Sequence, residues 1–178
     1  GFRQNVLFMN EGLAEGHSIN GVLVDRTAEY ASVSDVAGDS GFLTPTSNRD
    51  IILADVNNDG WLDVVTATAW SDGQPKHISH PRVYMNLGEE RGVWQGFRFE
   101  DARIPQMHPS VGRRFASVSA GDVTGDGFVD LWFSDFDVSE SPMTSDPFDY
   151  NNKLLVNNGA GHFTDETAGR LTAQMSDA

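Results

Sequence analysis

Two stretches of this sequence concentrate oxygen donors in the manner of a hard-cation site. They are Asp55-Val56-Asn57-Asn58-Asp59-Gly60-Trp61-Leu62-Asp63 and Asp122-Val123-Thr124-Gly125-Asp126-Gly127-Phe128-Val129-Asp130. Each places oxygen-bearing side chains at loop positions 1, 3, 5 and 9, and a glycine at position 6 permits a sharp turn. Position 7, Trp61 or Phe128, offers its carbonyl while its ring packs inward. Calcium takes about six to eight oxygens at about 2.3–2.6 Å. Three carboxylates in so short a loop repel one another unless a cation lies between them. The candidate metal ligands are therefore Asp55, Asn57, Asp59, Trp61 and Asp63, and Asp122, Thr124, Asp126, Phe128 and Asp130. The expected cofactor is calcium, two ions in all. A solvated Asx turn between strands is the competing reading.

An EF-hand would need an acid at position 12 and flanking helices. Position 12 is Thr66 in the first loop and Phe133 in the second. A terminal Asp at position 9 with strand-like flanks suits a β-hairpin site instead. Magnesium fits less well, because it demands stricter octahedral geometry and keeps more water. A third, poorer loop, Asp35-Val36-Ala37-Gly38-Asp39-Ser40-Gly41, has two carboxylates and reads as a connection.

The elements that position these loops repeat. The segment from Asp50 to Val65 aligns with Ser117 to Trp132 without a gap, 67 positions on. Each is an apolar run, an Asp-rich turn and a second apolar run. A different half-repeat occurs three times, as Val6-Leu7-Phe8-Met9-Asn10-Glu11-Gly12, Val83-Tyr84-Met85-Asn86-Leu87-Gly88 and Leu154-Leu155-Val156-Asn157-Asn158-Gly159. A further short apolar segment follows each of them. All these runs are short, rich in Val, Leu, Ile, Phe and Trp, and bounded by Gly, Asn and Asp, which is strand-and-turn chemistry. No sustained 3.6-residue period predicts a long helix.

The predicted order is a half unit of two strands and then two units of four antiparallel strands. That is the pattern of β-propeller blades. The expected fold is all-β, with about two and a half blades and an incomplete ring: a half blade over 1–30, a blade over 48–104 and a blade over 115–170, within one segment, 1–178. An ordinary β-sandwich is the alternative. Because the sequence opens inside a repeat, the expectation is a piece of a larger propeller. Completion by neighbouring chains is the second possibility.

The repeats resemble the FG-GAP/VCBS repeats of integrin α-subunit-type propellers. The carriers of the resemblance are the two Asp-rich loops, Leu154 to Asp165, and Val24-Asp25-Arg26-Thr27-Ala28. The resemblance implies a calcium-stabilised, usually extracellular propeller. It implies no single activity, since the family includes adhesins, receptors and some polysaccharide lyases. This sequence departs from the family in blade number, in Thr124 and in its long insertions.

Composition narrows the partners. The 178 residues carry 26 acids against 12 bases, for a net charge of -14, which disfavours nucleic acid and a polybasic membrane surface. No apolar run reaches the length of a spanning helix. The absence of cysteine removes disulfides, thiolate metal sites and a thiol nucleophile. The expected partners are a protein or carbohydrate ligand, or further blades, with no nucleic acid and no membrane insertion. Cytosolic calcium would leave such loops largely empty, so the expected location is extracellular or at the cell surface, with the periplasm as alternative.

The expected function is adhesion, binding or assembly without catalysis. The alternative is part of a carbohydrate-active enzyme of polysaccharide lyase type. Long connections near 70–81 and 137–152 mark the end opposite the Asp-rich loops as the candidate partner surface. The enzymatic alternative draws on the first of them, which holds Lys76, His77 and His80, and on what the resemblance implies. The histidines, His17, His108 and His162 included, read as surface groups. Trp61, Phe128, Trp132 and Phe133 read as inter-blade core, while Trp70 and Trp94 lie nearer loops.

Overall fold

A computed structural model describes residues 1–12, 21–69, 73–107, 115–135 and 152–171. Trp70, His17, His108 and nearly all of the 137–152 connection lie outside them. Among the described residues the elements are strands with three single-turn helices. In chain order they are β1 (Phe8–Asn10), β2 (Leu23–Asp25), α1 (Thr27–Tyr30), β3 (Val33–Ser34), β4 (Asn48–Ala54), β5 (Asp63–Thr68), α2 (Lys76–Ser79), β6 (Arg82–Asn86), β7 (Glu89–Glu90), β8 (Val93–Trp94), β9 (Phe97–Phe99), β10 (Phe115–Gly121), β11 (Asp130–Asp135), β12 (Lys153–Asn157), β13 (Phe163–Asp165) and α3 (Thr167–Arg170). Short 3-10 turns occupy Gly41–Leu43 and Asp101–Arg103.

The antiparallel meander β4-β5-β6-β9 is matched by β10-β11-β12-β13. The match extends to register. Ala54 faces Asp63 where the Asp-rich loop closes, and Gly121 faces Asp130. Both first strands break register at the same place, between Asn48 and Asp50 and between Phe115 and Ser117. A shared irregularity at equivalent positions is a designed feature of the unit rather than a local accident. β1 and β2 pair with each other as a small separate sheet.

The first meander has one strand more than expected. β3 pairs in parallel with β9, Val33 opposite Arg98, so this sheet has five strands. β7 and β8 form a small hairpin within the β6-to-β9 connection.

The first sheet is buried on both faces, and strand alternation sends neighbours into different cores. Val65, Ala67, Val83 and Met85 pack toward the second sheet with Phe115, Val118, Leu131, Phe133 and Leu155. Val64, Tyr84, Phe97 and Phe99 pack with Ala31 and Phe42 on the other side. Each fully buried side chain of this size contributes about 1.5–3 kcal/mol. Polar links join the sheets as well. The Val118 amide donates to Asp50 Oδ2 at 3.1 Å. The Asn157 carboxamide donates to the Val56 carbonyl at 2.7 Å.

The connection from β3 to β4 is tied to β6 by a buried ion pair. Arg82 is fully buried and makes two hydrogen bonds of 2.9 Å to Asp39. Its guanidinium lies 3.6 Å from the centroid of the Phe99 ring. The sequence marks Asp39 only as part of a degenerate loop; the structure uses it as the counterion of a core arginine.

Candidate functional site

The two Asp-rich loops join the first and second strands of their meanders, β4 to β5 and β10 to β11. Both coil tightly around the position 1 carboxylate. Asp55 Oδ1 accepts from the Asp59 amide at 3.0 Å, and Oδ2 from Gly60 at 2.8 Å. Asp122 repeats this, with Gly125 at 2.7 Å and Asp126 at 3.2 Å on Oδ1 and Gly127 at 2.8 Å on Oδ2. The Gly127 amide is the main reason that the Asp122 carboxyl stays below its ordinary range, with Gly125, Asp126 and Thr124 adding to it. The backbone is left-handed at position 4, Asn58 or Gly125, and at position 6, Gly60 or Gly127. Asn and Gly are the residues that tolerate this conformation.

The position 9 aspartates do something else. Asp63 and Asp130 are buried, and each bridges its own loop to the third strand. Asp63 accepts from the Val56 amide at 3.0 Å and from the Asn86 amide at 2.7 Å. Asp130 accepts from Val123 at 3.0 Å and from Asn157 at 2.9 Å. Burial pushes the Asp63 carboxyl up to about 6; the two amides oppose this, and Asp59 and Asp55 add to it.

Asn86 and Asn157 complete the clamp from the other side. The Asn86 carboxamide donates to the Leu62 carbonyl at 3.0 Å and accepts from Gly88 at 3.0 Å. The Asn157 carboxamide donates to Val129 at 2.9 Å and accepts from Gly159 at 3.0 Å. The Asp-rich loop and the Asn-x-Gly turn therefore lie at the same end of each sheet, as the meander order requires.

The position 7 rings do not fill the core. Trp61 is 39% exposed and lies over the turn glycine Gly88; Phe128 lies over Gly159. Trp132 is half-buried, its indole N–H on Ser134 Oγ, and of the four aromatics only Phe133 sits fully in the inter-sheet core. The reason is positional: a residue in the loop stands beyond the sheet and can reach only the neighbouring turn.

The donor set is all oxygen, which suits a hard divalent cation. Asp55 Oδ1, Asp55 Oδ2 and Asp122 Oδ2 each accept one N–H and retain a second lone pair, whereas Asp122 Oδ1 accepts two. Among the described residues, no three His, Cys, Asp or Glu side chains converge as a ligand cluster. The loop acids are held by amides of their own loop, with the Asn57 carboxamide donating to Asp59 Oδ2 at 2.8 Å.

On the opposite side of the meander, Lys76 pairs with Asp101 at 3.2 Å. His80 is 2% exposed rather than on the surface. Its Nε2 accepts from the Met107 amide at 3.2 Å, which leaves Nδ1 to donate to Ser79 Oγ at 2.8 Å.

A second feature invisible in the sequence is an open groove of about 410 Å³ beside the first loop. It runs from Asn57 and Trp61 across Met85 to Arg98 and Arg103.

Among the described residues, no helix is long and apolar enough to cross a membrane. Residues 55–133 match the family model of the FG-GAP-like repeat. No curated protein and no solved structure matches the chain significantly.

Proposed function

We propose, from the match of residues 55–133 to the FG-GAP-like repeat, that this chain is a calcium-stabilised propeller segment that serves binding, adhesion or assembly outside the cell. The observation that carries the reading is the recurrence of one loop architecture in both meanders. Each loop wraps its amides around a position 1 Asp and adds oxygen groups at positions 3 and 5. In the first, Asp55, Asn57, Asp59, the Trp61 carbonyl and Asp63 would hold the ion. In the second, Asp122, Thr124, Asp126, the Phe128 carbonyl and Asp130 would do so. The bound ion supplies positive charge to loops that otherwise hold three carboxylates each. The chain's own contribution is the tight coil, the left-handed positions and the clamp to the third strand.

The blade reading goes with this. The two meanders stand as successive blades, with β1 and β2 as the outer pair of a third. Extracellular calcium modules bind at about 10⁻⁴–10⁻³ M. At millimolar calcium a site of about 10⁻⁴ M adds about 1.4 kcal/mol of stability. An extracellular location goes with sites of that affinity, which cytosolic calcium would leave largely empty.

The enzymatic alternative has less support. Lys76 is held by Asp101, and His80 is buried between Ser79 and the Met107 amide. Neither stands in a cleft as a free base. Calorimetric titration with calcium tests the proposal: two sites are expected, one lost in Asp55→Asn and the other in Asp122→Asn. Absence of calcium uptake by the unmodified chain would overturn it.

A further inference from the structure

We propose that the groove beside the first Asp-rich loop binds a neutral, hydroxyl-rich saccharide. This rests on the reading of the chain as a binding domain and names its ligand class and its place. The groove has the size of a small-molecule site, since such pockets span roughly 300–1,000 Å³. Its floor is the buried Met85 side chain. On one wall Trp61 is 39% exposed and Leu87 38% exposed, although both are large apolar groups at the end of a sheet. Trp61 is fixed, because its pyrrole portion rests on Gly88.

The polar part of the lining is held by ion pairs. Glu100 is held between Arg98 and Arg103, with Arg103 Nε at 2.7 Å. The second end of the Arg103 guanidinium donates to the Ala160 carbonyl of the neighbouring sheet. These contacts hold Glu100 below the ordinary carboxylate range despite its partial burial. Planar groups locked by mutual pairing are pre-organised donors and acceptors, so little rotamer entropy is lost when a ligand engages them. Asn57 completes the polar rim beside the indole.

A lining that combines an exposed indole with guanidinium, carboxylate and carboxamide groups suits a pyranose. The sugar's C–H face packs on the indole, and its hydroxyls both donate and accept. Charge selects against other ligands. The groove holds Asp59, Glu89 and Glu100 against Arg98 and Arg103, and the whole chain carries -14. With Asp59 engaged by calcium, Glu89 and Glu100 balance Arg98 and Arg103, so the groove offers an anion no surplus of cations, and the chain's net charge of -14 disfavours phosphates, nucleic acid and uronates. The polar wall would be left unpaired by a hydrocarbon ligand.

The test is a titration of the calcium-loaded full chain, followed by ¹H–¹⁵N spectra, with lactose, cellobiose and mannobiose, and with digalacturonate as the anionic comparison. At least one neutral disaccharide is expected to shift the Trp61 indole N–H saturably. Arg98→Ala is expected to weaken that binding at least tenfold while the chain still unfolds cooperatively, its melting temperature lowered by no more than a few degrees, and Trp61→Ala to abolish it. The proposal is overturned if none of the neutral disaccharides shifts the indole signal, if binding survives unchanged in Arg98→Ala, or if only digalacturonate binds. Repeating the titration in chelator separates this inference from the calcium reading. Saccharide binding by a chain that takes up no calcium would keep the groove and sink the metal; calcium uptake without saccharide binding would do the reverse.

Discussion

The indole of Trp61 occupies the space that a side chain on Gly88 would need. A Cβ built on Gly88 would lie 3.0 Å from Trp61 Nε1, and one on Gly159 would lie 2.9 Å from the Phe128 ring. Both glycines also have positive φ, 65° and 84°. Each unit thus locks its Asp-rich loop to its Asn-x-Gly turn by laying a loop ring on a turn glycine.

Substitution of either glycine should break that lock. Gly88→Ala and Gly159→Ala are each expected to destabilise the fold by about 1–3 kcal/mol, through left-handed strain and overpacking against a ring. Urea denaturation measures this. Gly38→Ala is the comparison, since it shares a positive φ but a Cβ there meets nothing within 4 Å. It should cost less than Gly88→Ala; equal costs would show that the rings do not matter.

Asp63 and Asp130 should matter to the fold without any metal. Each accepts two backbone amides in a buried setting, and an Asn in either place turns one acceptor into a donor facing an N–H. Asp63→Asn and Asp130→Asn are expected to lose about 1–3 kcal/mol each in the presence of chelator. A loss seen only with calcium present would contradict their role as pins between loop and third strand.

Much of this was legible in the sequence. The gapless 67-residue repeat located both loops, and Gly, Asn and Asp at the run ends located the strands around them. What escaped depends on long-range pairing. β3 is a two-residue strand that exists because β9 offers it an edge. Asp39 meets Arg82 across 43 positions, and no local pattern announces that. Trp61 misleads for a different reason: its apolar character predicts burial, but its place in the loop allows only the turn glycine as a partner. A signal was present in Asn86 and Asn157, which recur at the same place in the half-repeat and prove to be the clamp residues.

Acid should loosen the β3-to-β4 connection from the first sheet. Burial pushes the Asp39 carboxyl up, but the Arg82 hydrogen bonds and charge and the Gly41 amide outweigh this and hold it below 3.8. Its folded-state pKa is therefore depressed. The stability it contributes is present above the unfolded value, about 3.8, and is lost as pH falls through the lower folded value. Asp39→Asn, which leaves a buried cation without its counterion, is expected to lose about 3–5 kcal/mol at neutral pH. Unfolding followed from pH 6 to pH 2 should show wild type approaching the variant at the acid end; parallel curves would contradict the assignment.

The central claim is that the two acidic loops are cation sites, and thermal unfolding of the full chain in chelator and in millimolar calcium tests it most directly. With two sites of about 10⁻⁴ M, the melting temperature should rise by several degrees on adding calcium. The rise should shrink by about half in Asp55→Asn and in Asp122→Asn, and vanish in the double variant. Superimposable melting curves in chelator and calcium would contradict it.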